Sequence, residues 1–61
     1  MKVTEQMIAK ANLSAREAKV IRVAYELSSA GKRTKRWVAG LGDGTYAQLL
    51  RSANEKLKKV R

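Results

Sequence analysis

Residues 13–27, Leu-Ser-Ala-Arg-Glu-Ala-Lys-Val-Ile-Arg-Val-Ala-Tyr-Glu-Leu, are the stretch around which the chain must be built. Ser14 and Glu17 have the spacing of a capping box. The hydroxyl can accept from the Glu17 amide while the carboxylate returns to the Ser14 amide, so a helix starts here with its own signal. Beyond it, Ala18, Ile21, Ala24 and Tyr25 fall on one helical face, and Val20, Val23 and Leu27 widen that face. Arg16, Lys19, Arg22 and Glu26 keep to a narrow polar strip. A helix this apolar over most of its circumference calls for several neighbours. It is the expected central helix of a small all-α domain.

Upstream, residues 1–12 read as a short helix. Thr4 is placed to cap it, Asn12 ends it, and Val3, Met7, Ile8 and Ala11 share one side. A segment this short is marginal alone and must gain stability from packing. Downstream, the pattern breaks at Ser28-Ser29-Ala30-Gly31, where Gly31 is expected to take the left-handed conformation.

The densest charge run follows, Lys32-Arg33-Thr34-Lys35-Arg36. Thr34 is the expected N-cap of a third helix reaching Leu41, with Trp37, Val38 and Leu41 at helical spacing. Trp37, the only Trp, reads as a core anchor, with base stacking as the minor alternative. Gly42-Asp43-Gly44 reads as a tight turn. Thr45 then opens the last helix in a second capping box with Gln48. Tyr46, Leu49, Leu50, Ala53, Leu57 and Val60 form its apolar stripe, and Arg51, Asn54, Lys58, Lys59 and Arg61 its other face. The cations of residues 56–61 suit the negative end of the helix dipole. The expected fold is therefore all-α: one small four-helix domain over residues 1–61, held by Ile21, Tyr25, Trp37, Leu49, Leu50 and Leu57. Its last two helices and their Gly turn form a candidate helix-turn-helix.

Composition narrows the function. With 61 residues the chain is near the lower limit for folding without staples. It has no Cys and no His, which removes disulfides, the usual zinc and haem ligand sets and the common nucleophile–base arrangements. Glu5, Glu17, Glu26, Asp43 and Glu55 are scattered, and no pair of them suggests an acid/base site. No enzyme, metal or cofactor is expected. No apolar run has the length of a membrane span and no signal-peptide core is present, so a soluble, cytoplasmic protein is expected. Net charge is +9 and uneven. Residues 1–31 hold five basic and three acidic residues, and residues 32–61 nine basic and two acidic. That asymmetry points to a polyanion, usually nucleic acid. The alternative is that Lys and Arg merely solvate a small helical protein.

Leu13-Ser14-Ala15-Arg16-Glu17-Ala18-Lys19-Val20-Ile21-Arg22 closely resembles the opening of region four of primary bacterial sigma factors. The spacing continues without a gap through Thr34, Val38, Asp43 and Thr45 to Leu57-Lys58-Lys59-Val60-Arg61. The resemblance implies a helical domain with a helix-turn-helix that binds the flap of the RNA polymerase β subunit and reads a promoter element in the major groove. Departures fall at the start of the recognition helix. Tyr46-Ala47-Gln48 replaces an Arg-Glu-Arg-type run, and Leu50-Arg51 an Arg-Gln pair. Lys35-Arg36-Trp37 stands where an acidic start is usual, and Gly42 and Gly44 replace apolar anchors. Since Met1 begins the chain with no other sigma region before it, a free-standing small regulator is expected, phage-encoded or on a mobile element, with an excised domain as the alternative.

The leading expectation is a transcription-related protein that binds duplex DNA. Lys32, Arg33, Lys35 and Arg36 would grip phosphates, and Thr45, Gln48 and Arg51 would face the groove. The runner-up is an interaction module that occupies the sigma site on RNA polymerase without reading DNA sequence. A basic RNA-binding peptide, such as a ribosome-associated factor, fits the charge but not the sigma-like start.

Overall fold

A computed structural model describes residues 2–60. Met1 and Arg61, the latter placed above on the polar face of the last helix, lie outside the described residues. Four helices follow in order: α1 (Glu5–Lys10), α2 (Ala15–Ala24), α3 (Lys32–Ala39) and α4 (Asp43–Lys58). Among the described residues there is no strand, and no helix is long and apolar enough to cross a membrane.

The two upstream caps form as the sequence dictates. The Met7 amide donates to Thr4 Oγ1 at 3.3 Å. The Glu17 amide donates to Ser14 Oγ at 3.2 Å while the Ser14 amide donates to Glu17 Oε1 at 3.0 Å. The helix so started packs against both α3 and α4. Ile21, Ala18, Ala53 and Leu57 are buried in one cluster with Val3, Ile8 and Ala11. Ala18 of α2 and Ala53 of α4 are the small members of this cluster, and Ile21 and Leu57, both fully buried, are its large ones. Met7, Leu13, Tyr25, Leu27, Leu50 and Val60 cover the edges of this core. Val20 and Val38 are buried as well, as expected where α2 meets α3.

Trp37 and Leu49, expected in the core, are only half-buried and lie outside that cluster. Val38, the neighbour of Trp37, is the buried residue of α3. The indole therefore sits at the edge of the α2–α3 contact, where Lys19 Nζ lies 5.1 Å from the ring centroid. Asn54, assigned above to the polar face of α4, is half-buried and accepts from the Tyr25 hydroxyl at 2.7 Å.

Helix boundaries depart from expectation at the glycines. Gly31, not Thr34, is the N-cap of α3, and Gly42, not Thr45, is the N-cap of α4; neither makes a side-chain capping bond. Both threonines stand at the third helical position, so the Thr45–Gln48 capping box does not form. The connection between α3 and α4 is Gly40-Leu41-Gly42, and Asp43 and Gly44 belong to the first turn of α4. Asp43 there places a carboxylate at the positive helix end, which stands in for the missing cap. The third helix stops at Ala39, short of Leu41.

Gly31 is not left-handed either; its φ is −77°. The left-handed residues are Asn12, at φ 57°, and Glu26, at φ 53°. At the end of α2 the Leu27 amide donates to Arg22 O at 2.8 Å and the Glu26 amide to Val23 O at 3.2 Å. This pattern is the Schellman motif, with Glu26 in the position that favours Gly. It ends the helix at Ala24, three residues before the apolar pattern runs out, and turns Leu27 back onto the core. Since Glu26 is exposed, Glu26→Gly is expected to relieve the left-handed strain and stabilise the fold by about 0.5–1 kcal/mol. Thermal unfolding should register this as a rise of roughly 3–6 °C. An unchanged or lower midpoint would mean that α2 ends in another conformation.

Candidate nucleic-acid interface

Lys32, Arg33, Lys35 and Arg36 are all exposed, and all lie on the eight-residue α3. Helical spacing spreads them over its outer arc. Lys32 and Arg36, one turn apart, point away from the buried Val38. Arg33 turns to one flank, where it lines a cleft of about 280 Å³ with Lys19, Thr34 and Trp37. Lys35 turns to the other flank, in a cleft shared with Val23, Glu26, Leu27, Ser28 and Ala30. The basic run is therefore continuous in sequence but two-sided in space, and Lys35 has an acidic neighbour that the other three lack.

Thr45, Gln48 and Arg51 are likewise exposed. Thr45 and Gln48 line a cleft with Arg16, Trp37, Leu41 and Leu49, between the start of α4 and the end of α3. Arg51 lies on a different flank of α4, beside Ala47, Leu50, Asn54, Glu55 and Lys58. The structure therefore brings Thr45 and Gln48 together with the Trp37 side of α3 and leaves Arg51 apart. Arg16 and Lys19 of α2 complete the basic lining of the Trp37 side. The polar strip of α2 contained the signal for both, but which helix that strip would face is decided only by packing.

The ion pairs lie elsewhere. Arg22 Nη2 meets Glu5 Oε1 at 3.0 Å, and Arg22 Nε donates to Glu5 Oε2 at 3.0 Å. Ser29 Oγ also donates to Glu5 Oε2. The Arg22 hydrogen bond, then that of Ser29, holds the Glu5 carboxyl below the usual carboxylate range. Lys56 Nζ meets Glu17 Oε1 at 2.7 Å. None of the seven candidate residues takes part in either pair.

No group of His, Cys, Asp and Glu among the described residues could hold a metal ion. Fold and surface together define a four-helix domain with an exposed cationic third helix joined by a three-residue turn to the longest helix. Comparisons of the chain with protein-family models, with curated proteins and with solved structures find no match.

Proposed function

We propose that this chain binds duplex DNA as a small transcription-related regulator, with α3 and α4 acting as a helix-turn-helix. The observation that carries the reading is the charge on α3. Four exposed cations sit on eight residues with no acidic residue in the first turn. Lys32 and Arg33 occupy the positive end of the helix, where each cation costs about 0.3–1 kcal/mol rather than contributing it. Fold stability does not explain that placement; a polyanionic partner does. The likeness of residues 13–22 to sigma region four supports the same reading.

Lys32, Arg33 and Arg36 make the phosphate contacts, with Lys35 contributing less because Glu26 shares its cleft. Thr45 and Gln48 present the groove-facing edge of α4, and Arg51 reaches the duplex from the far flank. Few long polar side chains are available to reach base edges, so the expected binding is dominated by phosphates and weak in sequence preference.

The test is a salt titration of duplex affinity. Lys32→Ala with Arg36→Ala should weaken binding to every sequence about equally and flatten the log–log salt dependence by up to about 1.8 units. Gln48→Ala or Arg51→Ala should act only at a preferred site, by about 1–3 kcal/mol, if either meets a base edge. A parent protein that fails to bind duplex DNA at low salt would sink the reading.

One observation favours the runner-up. Trp37, Leu41 and Leu49 are half-buried apolar side chains lining a single cleft, a surface suited to a protein partner. Capture of core RNA polymerase by a chain that ignores DNA would establish an interaction module at the sigma site instead.

A further inference from the structure

We infer that the notch between α2 and α3, walled by Trp37 and rimmed by Lys19, Arg33 and Thr34, seats a phosphate of the nucleic-acid backbone. This rests on the DNA reading above and adds to it a residue of α2 and the indole. Arg33 and Trp37 are one turn apart, and Thr34 precedes Trp37 by three, so all three share one flank of α3. From α2, Lys19 brings its ammonium to 5.1 Å from the centre of the ring. Two cations and a hydroxyl thus converge from two helices, and none of the lining residues is acidic.

Three physical features make the notch more than a pair of surface cations. The indole excludes water from one side, which lowers the local dielectric and strengthens attraction between the cations and an entering phosphate. The cation–π contact places the Lys19 ammonium over the ring, so less side-chain freedom is lost when it engages an anion at the ring's edge. Because Gly31 caps α3, the Thr34 hydroxyl is not committed to the helix start and can donate into the notch.

The competing explanation is that Lys19 only covers the indole. Lys19→Met separates the two, since it keeps a long apolar side chain able to cover the indole and removes the charge. The experiment titrates the full 61-residue chain with a random-sequence duplex at several salt concentrations. It reads gel shift and the emission of the single Trp, with thermal unfolding as the folding control. The parent's Trp37 emission should change and saturate with duplex. Lys19→Met should flatten the log–log salt slope by about 0.9, and Lys19→Arg should restore it. Arg33→Gln, at an exposed position, should flatten the slope by about the same amount and also shrink the duplex-induced change in Trp37 emission, which a phosphate held away from the indole would not do; this reads the notch even if Lys19→Met unfolds.

An unchanged slope in a folded Lys19→Met, or Trp37 emission unmoved by duplex, would overturn the notch. The DNA reading would survive that result, because Lys32, Arg33 and Arg36 can contact phosphates without the notch. Failure of the parent to bind duplex at all would overturn both.

Discussion

Ile21→Ala should leave much of the protein unfolded at room temperature. Ile21 is 0% exposed and lies in the cluster that joins α2 to α4 and to the residues around α1. Truncation there costs about 2–5 kcal/mol through lost transfer energy and the cavity left behind. A domain of this size holds only ~3–5 kcal/mol in total. Leu57→Ala, at 0% exposure on the facing helix, should do the same. The small neighbours Ala18 and Ala53 cannot extend into either space, so the cavity will not collapse cheaply. Leu49→Ala provides the contrast, because Leu49 is half-buried and outside that cluster; its cost should stay below about 1.5 kcal/mol. Denaturant unfolding followed by helical circular dichroism measures all three. If Ile21→Ala unfolds at the parent's midpoint, the α2–α4 interface is placed wrongly.

What could be read from the sequence was what is local. Thr4 and the Ser14–Glu17 pair act on amides within one turn, so residue type and spacing suffice, and both caps form. The apolar faces of α1 and α2 were legible for the same reason. Thr34 and Thr45 have the chemistry of N-caps yet stand inside their helices, because Gly31 and Gly42 break the chain earlier. A threonine offers a capping bond, but the backbone decides where the turn is made. Glu26 shows the converse failure. Its left-handed φ carries no signal in a Glu side chain, and it becomes affordable because Leu27 then reaches the core.

The candidate site divides along the same line. The four cations of α3 are adjacent in sequence, so their exposure on one helix could be read directly. Their division into two flanks could not, because it depends on which side of α3 carries the buried Val38. Nor could the meeting of Lys19 with Trp37, which pairs two different helices. Trp37 has the size of a core anchor, but a short helix with one buried position leaves its ring at the rim.

The contact furthest from the reach of sequence reasoning is Glu17 with Lys56, 39 residues apart. Glu17 was legible as a cap, and Lys56 as a cation suiting the end of α4; that they meet is tertiary information. Glu17 is 4% exposed, so its carboxylate depends on its partners. The Lys56 ammonium first, then the Ser14 amide, lower its pKa from 4.5 to about 2. The Lys56 side chain keeps 42% of its exposure, so the pair avoids the full cost of burying both charges. A carboxyl with a depressed folded pKa contributes stability that is complete above its unfolded value and is lost as pH falls toward the folded one. The parent should therefore lose stability on acidification from about pH 5 to about pH 2, by on the order of 2–3 kcal/mol from this group. Glu17→Gln should cost about 1.5–3 kcal/mol at neutral pH, since the charged hydrogen bond is gone. Its unfolding should also depend less on pH across that window, so the two proteins converge in acid. Lys56→Met should behave differently, because it leaves the buried carboxylate without its cation. The fold should weaken at neutral pH by a similar amount, while the loss of stability on acidification becomes smaller and is complete at a higher pH than in the parent, because the folded pKa rises toward the unfolded one. Urea unfolding at several pH values measures each of these. Parallel pH profiles for the parent and Glu17→Gln would show that this carboxyl does not titrate with folding.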